Sequence, residues 1–436
     1  MTPQPVFFGD AVRKAAEIVF ATSFPGGLKP LLIRDIYGKV SIALDCKKSD
    51  QATFASSLKA ELAKLGAYQG TPGLIFADDL YDSARIFADP SINDVVVLGS
   101  DTTVRILDRQ ITGQDWLVVN GQSSTVPRLV FFGLKGGVGR STALAIIAYS
   151  LAKEGKKVLL VDLDLESPGL SGLLLPPEQL ADFGVLDWLV EDAVGQGSDV
   201  IERMVSASPL SANLRHDIRV AAAIGHGDSL YLDKLSRAYA DVFDGKQPRR
   251  FSERLRRLVE TLEDREKPDV VLIDSRAGLH DLAALSIVGL ATTAFCFATD
   301  TAQGWQGYRS LFGHWQARPH VAMIVREKLK MVSALFPESE QVARTKAFLE
   351  NSYTLFSDTL YDKVSPGDND PDLFNFDIED TSAPHYPLRI RWNNRFQEFD
   401  PLQIAKGLFN EDELRATYGE FLDGVMEQLE VPNVSE

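Results

Sequence analysis

Cysteine is scarce in this 436-residue chain. Cys46 and Cys296 stand far apart, each inside an apolar stretch, which excludes a disulfide framework and a Cys-rich metal site. Histidine is nearly as sparse. His216, His226, His280, His314, His320 and His385 form no His-x-x-x-His pair and have no cysteine at ligand spacing, so no zinc centre is expected. Uninterrupted apolar runs fall short of the roughly 20 residues that span a bilayer. The opening Met-Thr-Pro-Gln-Pro lacks the basic segment leading into an apolar one that marks a secretory leader. The expectation is a cytoplasmic protein without a membrane segment. Basic residues are also in deficit: 45 Lys and Arg against 61 Asp and Glu give a formal net charge of −16. That balance disfavours a large nonspecific DNA or anionic-membrane surface, because phosphate backbones are held by Lys and Arg. A serine hydrolase is set aside because no Gly-x-Ser-x-Gly surrounds Ser275.

Apolar residues, at 45%, are plentiful enough for two domains of ordinary size. Up to about Val126, expected strands (Leu31 to Leu44, Gly73 to Ala77, Asp94 to Leu98) alternate with amphipathic helices (Ala11 to Phe20, Gln51 to Leu65). This reads as a small α/β domain over 1–126. Gly121-Gln-Ser-Ser-Thr-Val-Pro127 is polar and ends in proline, the signature of a linker, and an apolar strand follows at once. Residues 127–436 read as a second α/β domain. Leu129-Val-Phe-Phe132 and Lys157-Val-Leu-Leu-Val-Asp162 flank a helix from Thr142 to Lys153. Continuous rather than alternating apolarity marks these as parallel strands buried on both faces. Further strands are expected at Ile218 to Ala223, Val270 to Ile273, Thr293 to Phe297, Val321 to Val325 and Leu388 to Trp392, giving a doubly wound, mostly parallel sheet. About 176–216 and 231–266 read as helical insertions, and acidic Asp362 to Pro387 as a long surface loop.

The chemistry is concentrated in Lys135-Gly-Gly-Val-Gly-Arg-Ser-Thr142, between the first strand of the second domain and its helix. Gly136, Gly137 and Gly139 let the backbone of 136–139, Val138 included, curl around an anion with its N–H groups inward. Ser141 falls at the helix N-terminus, where its hydroxyl can ligate Mg2+, and Thr142 can donate to a phosphate oxygen. Two departures from the common Gly-x-x-x-x-Gly-Lys-Ser/Thr pattern stand out: Leu134 replaces its first glycine and Arg140 its lysine.

Three motifs taken in order resemble the ParA/MinD branch of P-loop ATPases. The loop is similar to that branch's deviant Walker A, Asp162-Leu-Asp164 to its Asp-x-Asp, and Asp274-Ser-Arg-Ala-Gly278 to its later Asp-Ser/Thr-x-Ala-Gly. The closest likeness is to a subgroup that keeps arginine in a Lys-Gly-Gly-Val-Gly-Arg loop. The resemblance implies an ATP- and Mg2+-binding ATPase. In it Lys135 reaches a partner's phosphates across an ATP-sandwiched homodimer, Arg140 covers the β/γ-phosphates, and Asp164 polarises the attacking water. Ser141, Asp162 and Asp274 serve the metal. Guanidinium is bulkier than ammonium and fixes its donors in a plane, so turnover is expected to be slow. Asp300 and the segment Ala383 to Asn394 are the candidates for adenine recognition.

The expected function is a nucleotide-switched ATPase that engages an unidentified protein partner, with the N-terminal domain as a candidate docking module. Such a fusion suits a multi-gene bacterial system such as phage defence. The alternatives are a non-hydrolysing nucleotide-binding scaffold and a DNA-associated partitioning ATPase. For the last, the basic run Lys246 to Arg257 and the group Arg389, Arg391 and Arg395 would be the contact surfaces, although interleaved Glu253, Glu260 and Glu263 favour a solvated helix face. The acidic tail from Glu411 offers no basic amphipathic helix for docking to a membrane.

Overall fold

The computed structural model describes residues 5–24, 28–89, 91–96, 103–110, 113–117, 124–244, 247–337, 339–363, 373–396, 400–405 and 410–430. Two compact units divide the chain: residues 1–118 with 313–323, and residues 119–312 with 324–436. The expected linker lies partly outside the described residues, at 121–123, as does Lys246 of the basic run.

In the first unit, β1 (Leu31–Arg34), β2 (Val40–Leu44), β3 (Gln69–Phe76), β4 (Ile92–Val96) and β5 (Thr103–Asp108) form a mixed sheet in the order β3-β2-β1-β5-β4. The stretch expected as one strand from Leu31 to Leu44 is therefore a hairpin. Asp35 makes the turn: its Oδ1 accepts from the amides of Tyr37 and Lys39, both at 2.9 Å, a local side-chain bond that competes with strand continuation. β5 escaped the sequence reading, yet it pairs with both β1 and β4. Helix Phe8–Ala21 buries Ala11, Ala15 and Ile18 against Leu32, Val40, Ile42 and Leu44. Residues 313–323 join this unit through Ala317, whose carbonyl accepts from Val96 N at 3.0 Å, and Trp315, whose Nε1 donates to Trp116 O at 3.1 Å.

The second unit carries β6 (Arg128–Gly133), β7 (Val158–Asp162), β8 (Val205–Ala207), β9 (Ile218–Ala221), the ribbon β10 (Val242–Asp244) and β11 (Gln247–Arg249), then β12 (Val270–Asp274), β13 (Thr293–Ala298), β14 (Leu329–Phe336) and β15 (Leu388–Arg391). Its eight-stranded sheet runs β15-β14-β13-β6-β12-β7-β9-β8, parallel throughout except for the edge strand β8. This is the expected doubly wound, mostly parallel α/β architecture. β6, β7 and β12 are fully buried, as their continuous apolarity requires.

One expected strand is a helix. Val321 to Val325 lies within helix Pro319–Arg326, and the strand is β14, beginning at Leu329. Proline is tolerated in the first turn of a helix, and Val321 and Val325, four apart, share its buried face. The expected insertions hold helices Val185–Ala193, Gly197–Ile201, Tyr231–Ala238 and Phe251–Glu266, but also β8 and the β10–β11 ribbon. The segment expected as a surface loop is partly core. Ala383 and His385 are fully buried, and Lys330 Nζ donates to Ala383 O at 2.9 Å. Of that segment, 364–372 lie outside the described residues.

Helix Glu411–Glu430 covers one face of the sheet with Leu414, Tyr418, Phe421, Leu422 and Val425. The Phe421 ring meets those of Phe131, Phe295 and Phe297 at centroid distances of 6.3, 6.0 and 5.9 Å. Such edge-on clusters add to the burial energy of each ring. Replacing Phe421 by Ala is expected to cost roughly 3–5 kcal/mol of unfolding free energy in urea denaturation; a loss under about 1 kcal/mol would contradict this packing.

Candidate nucleotide site

β6 ends at Gly133, and the chain turns through 134–139 into helix Arg140–Lys153. Gly137 and Gly139 make that turn at φ 75° and 76°, left-handed values that a Cβ would strain. Gly139 caps the helix, its carbonyl accepting from Ala143 N at 2.9 Å. No atom lies within 4 Å of where a Cβ would project from Gly136 or Gly137, so the cradle is open on that side. Amides at a helix N-terminus together with the helix dipole favour an anion here. Leu134, where the common pattern has glycine, is accommodated by Gly307 of helix Ala302–Gln316: a Cβ on Gly307 would fall 2.7 Å from Leu134 Cδ1. Gly307 was missed from sequence; a glycine inside an amphipathic helix was the available signal.

Sheet order decides the rest. β12 enters between β6 and β7, with Asp274 in register with Asp162 on one side and Phe131 on the other. The acidic ends of two strands distant in sequence thus lie side by side at the phosphate loop. Ser141 Oγ donates to Asp274 Oδ2 at 2.8 Å. Arg140 Nε donates to Asp274 Oδ1 at 2.6 Å and its Nη2 to Asp164 Oδ2 at 3.0 Å. Asp162 is turned to Ser171, whose Oγ (2.7 Å) and amide (3.2 Å) reach Oδ2, while the Asp164 amide reaches Oδ1 at 3.1 Å. Lys135 is exposed, with Nζ 2.5 Å from Gln303 Oε1. Thr142 occupies the first turn of the helix.

Burial dominates the electrostatics. Asp162 is 0%, Asp274 1%, Asp164 7% and Arg140 8% exposed. Burial, then repulsion from Asp274, pushes the Asp162 carboxyl up to about 7 against the bonds from Ser171. Burial likewise raises Asp164 and Asp274, with Arg140 pulling both the other way. Arg140 stays above its ordinary value: burial lowers it, but the attraction of Asp274 and Asp164 outweighs that. Asp164 Oδ1 is buried without a hydrogen bond of normal geometry, although the backbone N–H of Ser167 lies near enough to the carboxylate to favour its charged form.

A second ring of residues, not anticipated from sequence, ties the loops after β7 and β12 together. Glu166 Oε1 meets Arg276 at 2.6 Å and accepts from Tyr239 Oη, and His280 stands 3.7 Å away. Tyr231 Oη donates to Leu165 O at 2.7 Å. Of the adenine candidates, Asp300 Oδ1 accepts from Trp305 Nε1 (2.7 Å) and Asn351 Nδ2 (3.1 Å), while Asn393 Nδ2 donates to Thr417 Oγ1 (3.1 Å). Three arginines of the basic run converge on Asp192: buried Arg254 donates through Nε to Asp192 Oδ2 at 2.9 Å, Arg257 also bonds Asp192, and Arg249 lies 3.7 Å from it. Arg389 and Arg391 meet Glu420, and Arg395 meets Glu413.

Residues 129–296 match the CobQ/CobB/MinD/ParA nucleotide binding domain. That span holds the phosphate loop and all three aspartates. An uncharacterized ATP-binding protein of Methanocaldococcus jannaschii is 33% identical over 111 residues, which cover 24% of this chain and 42% of that protein. Among solved structures, MinD cell division protein from Aquifex aeolicus aligns with 69% of this chain and 98% of its own at 16% identity and a TM-score of 0.44. An ATP complex of Cyanothece McdA aligns with 72% and 100% at 17% identity and a TM-score of 0.42. The curated match thus spans about two fifths of its relative, and these structural likenesses are distant.

The donor set would suit the phosphates of a nucleotide and a divalent ion. Ser141 and the Asp274 carboxylate, with Asp162 beside it, are hard oxygens of the kind Mg2+ prefers, and the glycine cradle suits phosphate. Among the described residues, no group of three or more His, Cys, Asp or Glu side chains is arranged to hold a metal by itself. No helix among them is long and apolar enough to cross a membrane.

Two outcomes test this geometry. Gly307→Val should force Leu134 and the phosphate loop apart; it is expected to weaken binding of a fluorescent ATP analogue by at least about tenfold with the far-UV spectrum kept. Unchanged affinity would remove Gly307 from the account. Asp162 has a folded pKa raised above its unfolded value, so its protonation stabilises the fold at low pH, and that contribution is lost as pH rises through about 7. In nucleotide-free, metal-free buffer, the Tm advantage of Asp162→Asn over wild type should therefore grow between pH about 5 and 8. A pH-independent difference would contradict the shift.

Proposed function

We propose that the second unit is an ATP-binding, slowly hydrolysing molecular switch that closes as an ATP-sandwiched homodimer and in that state engages a protein partner. The carrying observation is the meeting of the phosphate loop, through Ser141 and Arg140, with Asp274 and Asp164 from two neighbouring strand ends. Gly136, Gly137, Val138 and Gly139 would bind phosphate through their amides, and Thr142 through its hydroxyl. Ser141 and Asp274, with Asp162 behind them, would hold Mg2+. Bound Mg2+ would neutralise phosphate charge and polarise the phosphoryl group. Asp164 would orient water, and its unpartnered Oδ1 is the atom free to accept that proton contact. Arg140 would pass from the carboxylates to the β/γ-phosphates. Exposed Lys135, resting on the neutral Gln303 amide, is available to a partner's phosphates; a cation borrowed in trans can raise phosphoryl transfer by ~10³–10⁵.

The alternative, a non-hydrolysing nucleotide-binding scaffold, draws on the same Arg140 contacts, since they engage the residue assigned to water. The region expected at 1–126 is the proposed partner-docking part under either reading. A DNA-partitioning role is less favoured, because Arg249, Arg254 and Arg257 converge on Asp192.

Wild type is expected to bind ATP and release phosphate slowly. Asp164→Ala should keep binding while losing at least about 10²-fold in turnover, and Lys135→Ala should abolish ATP-dependent dimers in light scattering. Absence of phosphate release from clean wild type, under conditions where ATP binds, would sink the hydrolysing switch and leave the scaffold.

A further inference from the structure

Arg140 and Ser141 are consecutive, and between them they occupy both oxygens of Asp274. The Arg140 guanidinium also holds Asp164, so a single side chain bridges the ends of β7 and β12. The side chains suited to a divalent ion are therefore bonded to a cation that the protein carries itself. Guanidinium is well fitted to this place. It stays charged, its planar donors match carboxylates, and it is more weakly hydrated than ammonium, so burial costs it less. Mg2+ gives up its own water reluctantly and keeps several waters even when bound. Alone it offers no replacement anion for a buried guanidinium, and an unpaired buried charge is strongly unfavourable. A triphosphate supplies that anion: phosphate oxygens are the other group a guanidinium fork recognises.

We propose that Arg140 is a tethered counter-cation that bars a divalent ion from Asp274 and Ser141 until a nucleoside triphosphate draws the guanidinium away, so that metal and nucleotide enter as a coupled pair. This deepens the nucleotide-binding reading and rests on it. Arg140 thereby sets which ligand the site accepts first. Lysine at the same position is one bond shorter and presents a point charge, so it cannot bridge both carboxylates in the same way.

The test uses Mn2+ alone, with the full chain free of nucleotide, and reads bound metal from the loss of the free-ion paramagnetic resonance signal. Wild type is expected to bind Mn2+ weakly, and Arg140→Gln, which frees the carboxylates while keeping a long polar side chain, at least about tenfold more tightly. Equal affinities, or tighter binding by wild type, would overturn the proposal. If Arg140→Gln lacks a native far-UV spectrum, Arg140→Lys is judged by the same comparison, with tighter binding than wild type expected. By linkage, Mn2+ should improve binding of a non-hydrolysable fluorescent ATP analogue more in wild type than in the variant; the reverse order would also overturn it. Failure of wild type to bind the analogue in any buffer would count against the proposed function, while the nucleotide-free metal comparison would still decide the role of Arg140.

Discussion

Everything at this site depends on how three buried carboxylates are kept at the ends of two adjacent strands. Asp162 and Asp274 are opposed in the β7–β12 register, and Asp164 follows two residues on. Buried ions persist only when paired or hydrogen-bonded, or when they take up a proton. Each of these remedies is present. Asp274 has Arg140 and Ser141, Asp164 has Arg140 on one oxygen, and Asp162 has Ser171 and a strongly raised pKa. The phosphate loop is consequently tied to the two acidic loops by charge as well as by chain connectivity.

That arrangement is supported from behind by close packing. The parallel sheet is buried on both faces, and Phe131, Phe295, Phe297 and Phe421 interlock on one of them. The start of helix Ala302–Gln316 reaches the loop twice, through Gly307 against Leu134 and Gln303 against Lys135. Leu134 and Gly307 are thus in close contact: a Cβ on Gly307 would require the Leu134 side chain to shift. An ion pair between Glu166 and Arg276 ties the loops after β7 and β12 together.

A functional reading follows from the balance of these charges. Under the proposal made above, an acidic pocket holding its own guanidinium would exchange one cation for another in the presence of phosphate. In the proposed switch, Arg140 would have to leave Asp164 before that carboxylate could orient water, which would slow turnover. The basic residues of β11 and helix Phe251–Glu266 are largely occupied in holding Asp192.

Continuous apolar runs ending in glycine or aspartate were enough, in sequence, to locate β6, β7 and β12, and with them the glycine-rich turn and the helix after it, because burial on both faces leaves an unambiguous pattern. Shorter or edge segments were misread where local chemistry and pattern disagreed. Asp35 broke a strand into a hairpin, and Pro319 with two valines four apart made a helix of an expected strand. The motif order named Asp162, Asp164 and Asp274 but carried no information on which strands are neighbours. Only the fold placed β12 beside β7, and only there did Arg140 meet two carboxylates. The positions of the charges were therefore set by the chain, while the partner of each charge was decided by sheet order, since burial compels every ion to find an opposite charge, a hydrogen bond or a proton within reach.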